Sequence, residues 1–228
     1  PREGELRSHV PGESFESREK KWQEALRKKY QNLLLEAQKK AKTHTPRLPI
    51  IGTGHLSLSA AKSSESEQKP YFQDLPESFI KDCLSKFDYF ALGHFHRPQT
   101  VFLPHICYSG SPLAFSFSEA SESKRLMKIM ISENSKLEQE SICIPEFRKL
   151  LSLSGEAKNI EEKLSQVKAS KAGLASFIHL KLQNPPLANE HLHERLAKPE
   201  TCEYEILKLT YEKSAEENES ESFTESLS

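Results

Sequence analysis

The strongest pattern in the first part of the chain is an apolar stripe at helical spacing between residues 17 and 41. Apolar side chains recur every three or four positions, while the opposite face carries Lys, Arg, Glu and Gln. This pattern predicts an amphipathic helix that packs on a core. The stripe consists of Trp22, Leu26, Tyr30, Leu33, Ala37 and Ala41. The glycine- and proline-containing residues 1–16 predict a loop before it.

Two short apolar runs predict buried strands, and both end in glycine followed by histidine. The first is 50–55 and the second is 89–92, which continues into a Gly-His-Phe-His sequence. Between them, Asp74 with Glu77 three residues later forms a capping-box pattern, which predicts a helix to about residue 87.

The remaining apolar runs of the first part have the length and composition of β-strands. β-like runs occur at 100–103, 105–109, 125–132 and 137–144, with a turn signal at Asn134 and Ser135. They predict the antiparallel side of a sheet. The polar residues 57–70 predict a loop.

Composition changes after Pro145, and a new series of elements begins. Strands are predicted at 147–153, 175–182 and 202–211, and helices at 159–170 and 189–198. In the middle strand, Ile178, Leu180 and Leu182 share one face. The order β-α-β-α-β predicts a small two-layer αβ domain. From Ser214 onward Ser and Glu dominate without an apolar period, which predicts disorder.

Composition narrows the function classes only a little. The 228 residues are 36% apolar and 29% charged, with a net charge of -1. This balance gives no general attraction to a polyanion, so any nucleic-acid surface must be local. The four cysteines form no CxxC pair, which argues against a zinc ribbon and suits reduced thiols in a cytoplasmic protein. No apolar run approaches the ~20 residues of a membrane span.

Three histidines carry the candidate chemistry: His55, His94 and His96. Each follows a buried strand and a glycine, so the strand ends deliver them to the rim of a sheet, where αβ proteins build sites. Residues two apart in an extended chain share a face, so His94 and His96 can reach neighbouring points. Neutral imidazole is a common ligand of Mn, Fe, Co and Zn. The pattern predicts a metal site.

A structural histidine is the alternative for any single position, and the repeated setting at two strand ends is what favours ligands. The other six histidines lie in loops, on a strand beside a proline, on an opposite strand face or two apart on a predicted helix. They are His9, His44, His105, His179, His191 and His193. None of them is assigned a chemical role.

Three segments resemble one known family. They are GTGHLS at 52–57, DYFALGHFHRPQ at 88–99 and YSGSPLAFSFSE at 108–119. In this order and spacing they resemble the SbcD family of nuclease subunits, within the calcineurin-like metallophosphoesterases. The resemblance includes the opening PRE and the helix after it. More loosely, it includes the β-α-β-α-β region, which is similar to the family's capping domain.

The resemblance implies an α/β fold with three parts. Residues 1–145 would form part of a four-layered α/β/β/α metallophosphoesterase core, 146–213 a β-α-β-α-β capping domain, and 214–228 an acidic tail. It also implies two Mn²⁺ ions, one bound by the residues at His55 and His94 and the other by the residue at His96. The segment at 110–112 is expected to be a structural turn near this rim.

The implied activity is hydrolysis of DNA phosphodiesters by an ATP-dependent double-strand exonuclease and single-strand endonuclease. Such an enzyme acts in DNA repair, replication and recombination. The implied partners are DNA, an SbcC-type ATPase subunit and a second copy of the nuclease subunit within a heterotetramer, with no membrane. Arg97, directly after His96, is the candidate DNA contact, since a guanidinium can hold a phosphate oxygen bidentately.

The chain departs from the family pattern in its acidic ligands. The family carries Asp-x-His, a bridging Asp and an Asn-His pair, whereas this chain has three aspartates, Asp74, Asp82 and Asp88, none in such a motif. We expect these motifs to lie before Pro1 in a longer protein. Three imidazoles without a bridging carboxylate should hold Mn²⁺ poorly, so the chain alone is expected to be inactive. Another metallophosphoesterase and a non-catalytic DNA-binding scaffold are the alternatives.

Overall fold

A computed structural model describes residues 12–68, 70, 73–170, 173–183 and 203–212. The predicted helix at 189–198, the acidic tail, Cys202 and three histidines lie outside the described residues. The described part falls into two compact units. The first comprises the residues up to Leu113 together with Ser123–Ile144, and the second comprises Ala114–Glu122 and the residues from Pro145 onward.

A long helix, α1 (Phe15–Ala41), forms one wall of the first core. It begins at Ser14, whose hydroxyl accepts a hydrogen bond from the backbone N–H of Ser17, as expected for an N-cap serine. The predicted stripe is confirmed with one correction. Leu34 is buried at 4% exposure, and Leu33 is left 49% exposed. The reason is geometric, because the helical repeat carries the stripe from Tyr30 to the residue four positions later.

The first unit is built on a four-stranded sheet with the order β1-β2-β4-β3. The strands are β1 (Ile51–His55), β2 (Tyr89–Gly93), β3 (Gln99–Val101) and β4 (Leu103–Tyr108). β1, β2 and β4 run parallel, and β3 is antiparallel to β4. The prediction that the run at 105–109 lies on an antiparallel side is therefore only partly right, because β4 also continues the parallel sheet by pairing with β2.

The start of the β1–β2 pair is fixed by Asp88. Its carboxylate accepts hydrogen bonds from the Arg47 guanidinium at 2.7 and 3.1 Å and from the backbone N–H of Ile50 at 2.6 Å. Although burial raises it, these hydrogen bonds hold the pKa of Asp88 below its ordinary value. The register that follows pairs Ile51 with Tyr89 and His55 with Gly93.

The helix expected from Asp74 is shorter than predicted. α2 (Glu77–Phe79) continues as a π-helical turn over Ile80–Leu84. Its N-cap is Pro76, which makes no side-chain capping bond. The Asp74 carboxylate instead accepts a hydrogen bond from the Ser57 hydroxyl, and Leu75 pairs with Leu58 in an isolated β-bridge. The capping prediction fails because residue 74 is engaged by a distant loop.

An antiparallel hairpin completes the first unit. β5 (Arg125–Ile131) pairs with β6 (Leu137–Cys143) along its whole length. Ser135, at the predicted turn, has a φ of 59°, which is a left-handed conformation typical of tight hairpin turns.

The second unit has a parallel sheet in the order β7-β8-β9, covered by one described helix. The elements are β7 (Leu150–Gly155), α3 (Ala157–Ser165), β8 (Ser176–Gln183) and β9 (Tyr204–Glu212). Ile178, Leu180 and Leu182 are buried together, as predicted. Asn159 does not cap α3, because the helix begins two residues earlier, after Glu156.

Residues 114–122 belong to the second unit, although the sequence placed them in the first. A 3-10 turn at Phe117–Glu119 explains the difference, since the ring of Phe117 lies 5.3 Å from that of His179 on β8. The prediction that 146–213 is a separable domain stays a prediction. The α/β class is confirmed, with parallel and antiparallel sheets. Among the described helices, none is long and apolar enough to cross a membrane.

The packing of β1 against the first core can be tested at Gly52, which contacts the core directly. A Cβ at this position would lie 2.5 Å from ring atoms of Phe90 and 2.8 Å from Phe87. Gly52→Ala should therefore lower the free energy of unfolding by about 1–3 kcal/mol, as overpacking does. Thr53→Ala, on the exposed face of the same strand, is the control and should change it by less than about 0.5 kcal/mol.

The measurement is urea denaturation followed by the fluorescence of Trp22, the single tryptophan, which packs against the first core. Equal midpoints for the two variants would show that β1 does not press against the rings in solution.

Candidate metal centre

His55 and His94 lie side by side at the carboxyl ends of two parallel strands. His55 is the last residue of β1 and is paired with Gly93 of β2. His94, which follows Gly93, is therefore its neighbour. The two imidazole rings are nearly perpendicular, with centroids 5.3 Å apart. A Cβ on Gly93 would lie 3.1 Å from Nδ1 of His55. The glycine before the histidine is therefore what leaves room for the first ring.

The backbone at His94 is strained. Its φ is 119°, far outside the region that an L-residue adopts readily, and such conformations cost of order 1–3 kcal/mol. Phe95 then turns inward, where it is 5% exposed and packs edge-on against Tyr108. Burial of this ring supplies the free energy that holds the strained residue in place.

The environment of His94 favours the neutral imidazole. Burial lowers the pKa of His94, and the neighbouring His55 and, more weakly, His96 act in the same direction. Glu67 and Asp74 oppose this effect without reversing it. Neutral imidazole is the form that binds a metal ion, so the arrangement suits a ligand. Because the pKa of His94 responds to them, His96 and the two carboxylates lie within electrostatic range of its ring.

His96 is held through both its ring and its backbone. The Ser66 hydroxyl lies 2.6 Å from Nδ1 of the imidazole. The backbone N–H of His96 donates to the Glu67 carboxylate at 2.7 Å. Both partners belong to the stretch predicted as a solvated polar loop, so this loop has a second role that its composition conceals. A histidine oriented through one ring nitrogen is the usual arrangement in metal sites.

Glu67 acts as an anion for backbone groups. Besides the N–H of His96, it accepts a hydrogen bond from the backbone N–H of Ser64. Burial raises its pKa, but these hydrogen bonds outweigh burial and lower the pKa of Glu67 below its ordinary value. The carboxylate is therefore charged at neutral pH, close to the histidines.

The carbonyl of His96 is fixed from the other side of the loop. It accepts from the backbone N–H of Ser111 at 3.0 Å and from the ammonium of Lys124 at 3.2 Å. Gly110, with a φ of 83°, permits this approach, since a Cβ there would lie 2.7 Å from the same carbonyl oxygen. The segment at 110–112, expected to be a structural turn, thus contacts the loop that carries His94 and His96 directly.

Sequence reasoning missed Ser66, Glu67 and Lys124, and it recognised Ser111 only as part of a turn. Their contacts go to backbone atoms or to a residue 13 or more positions away, so they leave no periodic signal. Asp74 was noticed, but as a helix cap. The one available signal was the occurrence of acidic and hydroxyl residues between two strands that both end in Gly-His, since loops between such strands meet at the same rim.

Arg97 follows His96 on the same loop and is partly buried. Its carbonyl accepts a hydrogen bond from the side chain of Gln99 at 3.3 Å. The loop position places the residue next to the histidines, as expected, and its contact with DNA stays a prediction.

The described residues fit one side of a metal centre and do not enclose an ion. His55 and His94 have suitable chemistry and spacing, and His96 is oriented nearby. However, the described part of the chain contains no group of three or more His, Cys, Asp or Glu side chains that could hold a metal ion. The assignment of His55, His94 and His96 as ligands therefore stays a prediction, and further oxygen ligands are needed.

Comparison with curated proteins supports the family resemblance. SbcD of Escherichia coli (strain K12), named as a subunit of the nuclease SbcCD, is 36% identical over 121 residues, which is 52% of this chain and 30% of that protein. The protein of the same name from Staphylococcus epidermidis is 33% identical over 131 residues, which is 58% of this chain and 34% of that protein. The chain is similar to the SbcD component of the SbcCD nuclease. This confirms the resemblance seen in the motifs.

The matched region spans about a third of the length of these SbcD relatives. No protein-family model matches the chain. The similarity therefore supports a nuclease family for the matched region and leaves the activity of this chain to be tested.

The strain at His94 gives a test of the site geometry. His94→Gly should be more stable than His94→Ala by about 1 kcal/mol or more, because glycine adopts a positive φ without steric cost. His105 on β4 is the control. At this strand position glycine should be less stable than alanine by roughly 0.5–1 kcal/mol. Urea denaturation of the four variants measures both differences.

The opposite signs at the two histidines are the expected result. If alanine were as stable as glycine at position 94, the backbone would not be strained there, and the loop would have another conformation.

Proposed function

We propose that the chain is part of the nuclease subunit of an SbcCD-type complex and supplies the imidazole ligands of a two-metal phosphodiesterase centre. The observation that carries the proposal is the convergence of His55 and His94 at the ends of adjacent parallel strands, with His96 oriented beside them. The similarity to SbcD proteins supplies the reaction class. The whole subunit would be a DNA nuclease with a four-layered α/β/β/α core.

The chain's own residues would perform three tasks at such a centre. His55 and His94 would bind one Mn²⁺ ion and His96 the other, each as a neutral imidazole. The strained loop would hold the ligands in place before any metal arrives, which lowers the cost of ordering them. Two bound metal ions would activate a water molecule and neutralise the charge of the phosphate. The oxygen ligands would come from residues outside the described set.

Within this proposal, Arg97 contacts a phosphate of DNA, and an SbcC-type ATPase subunit and a second nuclease subunit are the protein partners. The proposal also includes the family's exonuclease and endonuclease activities in DNA repair, replication and recombination. The second unit would take the place of the family's capping domain. Its Lys163 is engaged locally, since the ammonium donates to the carbonyl of Ser154 at 2.6 Å, which supports a structural role for that lysine.

A non-catalytic scaffold is the second candidate. The observation that favours it is the lack of a complete metal-ligand cluster among the described residues. A scaffold would keep the domain surfaces without needing oriented histidines, whereas His96 is held through its ring, its N–H and its carbonyl. This specific orientation favours the nuclease interpretation.

Titration with Mn²⁺ tests the ligand assignment in the chain as it stands. A paramagnetic ion bound at the centre should broaden the imidazole NMR signals of His55, His94 and His96 at lower concentration than that of His44, an exposed histidine after α1. The same protein should not cleave duplex DNA with Mn²⁺, because the described residues hold no complete group of metal ligands and two-metal hydrolysis needs both ions in place.

Broadening of His44 at the same Mn²⁺ concentration as the other three would contradict the assignment. DNA cleavage that disappears in His94→Ala would instead show that the chain already holds a complete centre.

The DNA contact is tested in the full-length subunit. Arg97→Ala should weaken binding to all DNA sequences alike and reduce the slope of log affinity against log salt by roughly one, as loss of a phosphate contact does. Lys158→Ala, an exposed lysine of α3, is the matched control and should leave both quantities unchanged. Fluorescence anisotropy at several salt concentrations measures them. An unchanged affinity and slope for Arg97→Ala would make Arg97 a structural residue.

A further inference from the structure

Lys124 is a buried lysine that serves the loop of the candidate metal centre. It is 8% exposed, and it lies just before β5, 28 residues after His96 in sequence. Its ammonium donates to the carbonyl of His96 and to the hydroxyl of Ser111, both at 3.2 Å. Ser111 is itself buried at 6% exposure and donates its N–H to the same carbonyl.

The next residue makes a parallel contact. The guanidinium of Arg125 donates to the carbonyl of Pro98 at 3.1 Å. Its own carbonyl accepts from the Ser109 hydroxyl at 3.4 Å. Two consecutive cationic residues thus bind two carbonyls of the histidine loop, two positions apart. The start of β5 is therefore attached to the loop at both ends of the His96–Pro98 turn.

Burying an ammonium is costly unless it is hydrogen-bonded. An apolar residue would fill the same space without that cost, so the packing of the first core does not explain why the position is a lysine. What the ammonium adds is charge-assisted hydrogen bonding, and one of its bonds goes to the carbonyl of His96. Such a bond is about twice as strong as one between neutral groups.

The contacts of His96 show what this bond does. The N–H on one side of the residue is bound by the Glu67 carboxylate, and the carbonyl on the other side is bound by the Lys124 ammonium. An anion thus holds the donor and a cation holds the acceptor of the same residue. Rotation of the backbone at His96 would break both bonds, and the ring is held between them by Ser66.

We propose that Lys124 is a positioning residue of the metal centre, which with Glu67 fixes the backbone of His96 and thereby the direction of its imidazole. The lysine acts through main-chain atoms and touches neither metal nor substrate. Its functional meaning rests on the proposed role of His96 as a ligand, whereas its effect on the loop does not.

Amide hydrogen exchange in Lys124→Met separates positioning from general stability. The N–H groups of His96 and Ser111 flank the carbonyl that the ammonium binds, and both should exchange at least about tenfold faster, which corresponds to the loss of one hydrogen bond to a charged group. The N–H of Leu56 donates to Gly93 at the same rim without involving the lysine, and its exchange should be unchanged.

Two variants control the experiment. Lys128→Met removes an exposed lysine of β5, which pairs with Glu140, and should leave all three amides unchanged. Lys124→Arg keeps a cationic donor and should slow the exchange of His96 and Ser111 relative to Lys124→Met. Faster exchange of all three amides in Lys124→Met, without rescue by arginine, would make the lysine a folding residue and overturn the proposal.

If Lys124→Met does not fold, Lys124→Gln removes the charge and keeps a polar side chain, which is a smaller change. Faster exchange of the His96 amide, with that of Leu56 unchanged, then supports the proposal, and unchanged exchange of both overturns it. Mn²⁺ titration of the same variants tests the metal role separately. Apparent affinity at His96 should fall about 10- to 100-fold, as for loss of a residue that orients a ligand. If Mn²⁺ shows no preference for the three histidines over His44 in the wild type, the ligand assignment fails, while the exchange result still decides the positioning role.

Discussion

The parallel register of β1 and β2 is the constraint on which the candidate site depends. Pairing of His55 with Gly93 places the end of one strand beside the His94 turn of the next. This register is fixed at its other end by Asp88, which binds the Arg47 guanidinium and the N–H of Ile50. A slip of one residue would move His55 to the core face, where Gly52 and Gly54 now leave room for aromatic rings. The fold and the histidine pair therefore require the same alignment.

The histidine loop is held by segments that are distant in sequence, and each contributes a different kind of contact. Phe95 anchors the loop by burial, the 66–67 segment binds the ring and N–H of His96, and the start of β5 binds loop carbonyls. Because these contacts surround a strained residue, the strain at His94 can persist in the folded state. A loop held in this way keeps its histidines oriented without relying on a metal for its conformation.

The sequence was informative wherever one segment carried its own pattern. The α1 stripe, the two strands that end in Gly-His and the alternating face of β8 all follow from local periodicity, and so the three histidines could be named in advance. The sequence could not reveal which loop atoms would hold them. Glu67 and Lys124 act on backbone atoms 29 and 28 positions away, and a polar loop or an isolated lysine has the same composition whether or not it makes such contacts. Asp74 was misassigned for the same reason, because a nearby glutamate matched a capping pattern while its true partner, Ser57, lay 17 residues earlier.

The position of Glu67 also limits what the centre can be. A carboxylate near His94 and His96 resembles a metal ligand, yet it accepts hydrogen bonds from two backbone N–H groups. Turning it toward a metal would leave those partly buried donors unsatisfied, which costs about 1–3 kcal/mol for each group, and would release the backbone of His96 that it fixes. As the loop stands, Glu67 contributes negative charge and orients the backbone of His96. In the proposed two-metal centre, the bridging oxygen would then come from a residue other than Glu67, because both Glu67 oxygens accept backbone hydrogen bonds.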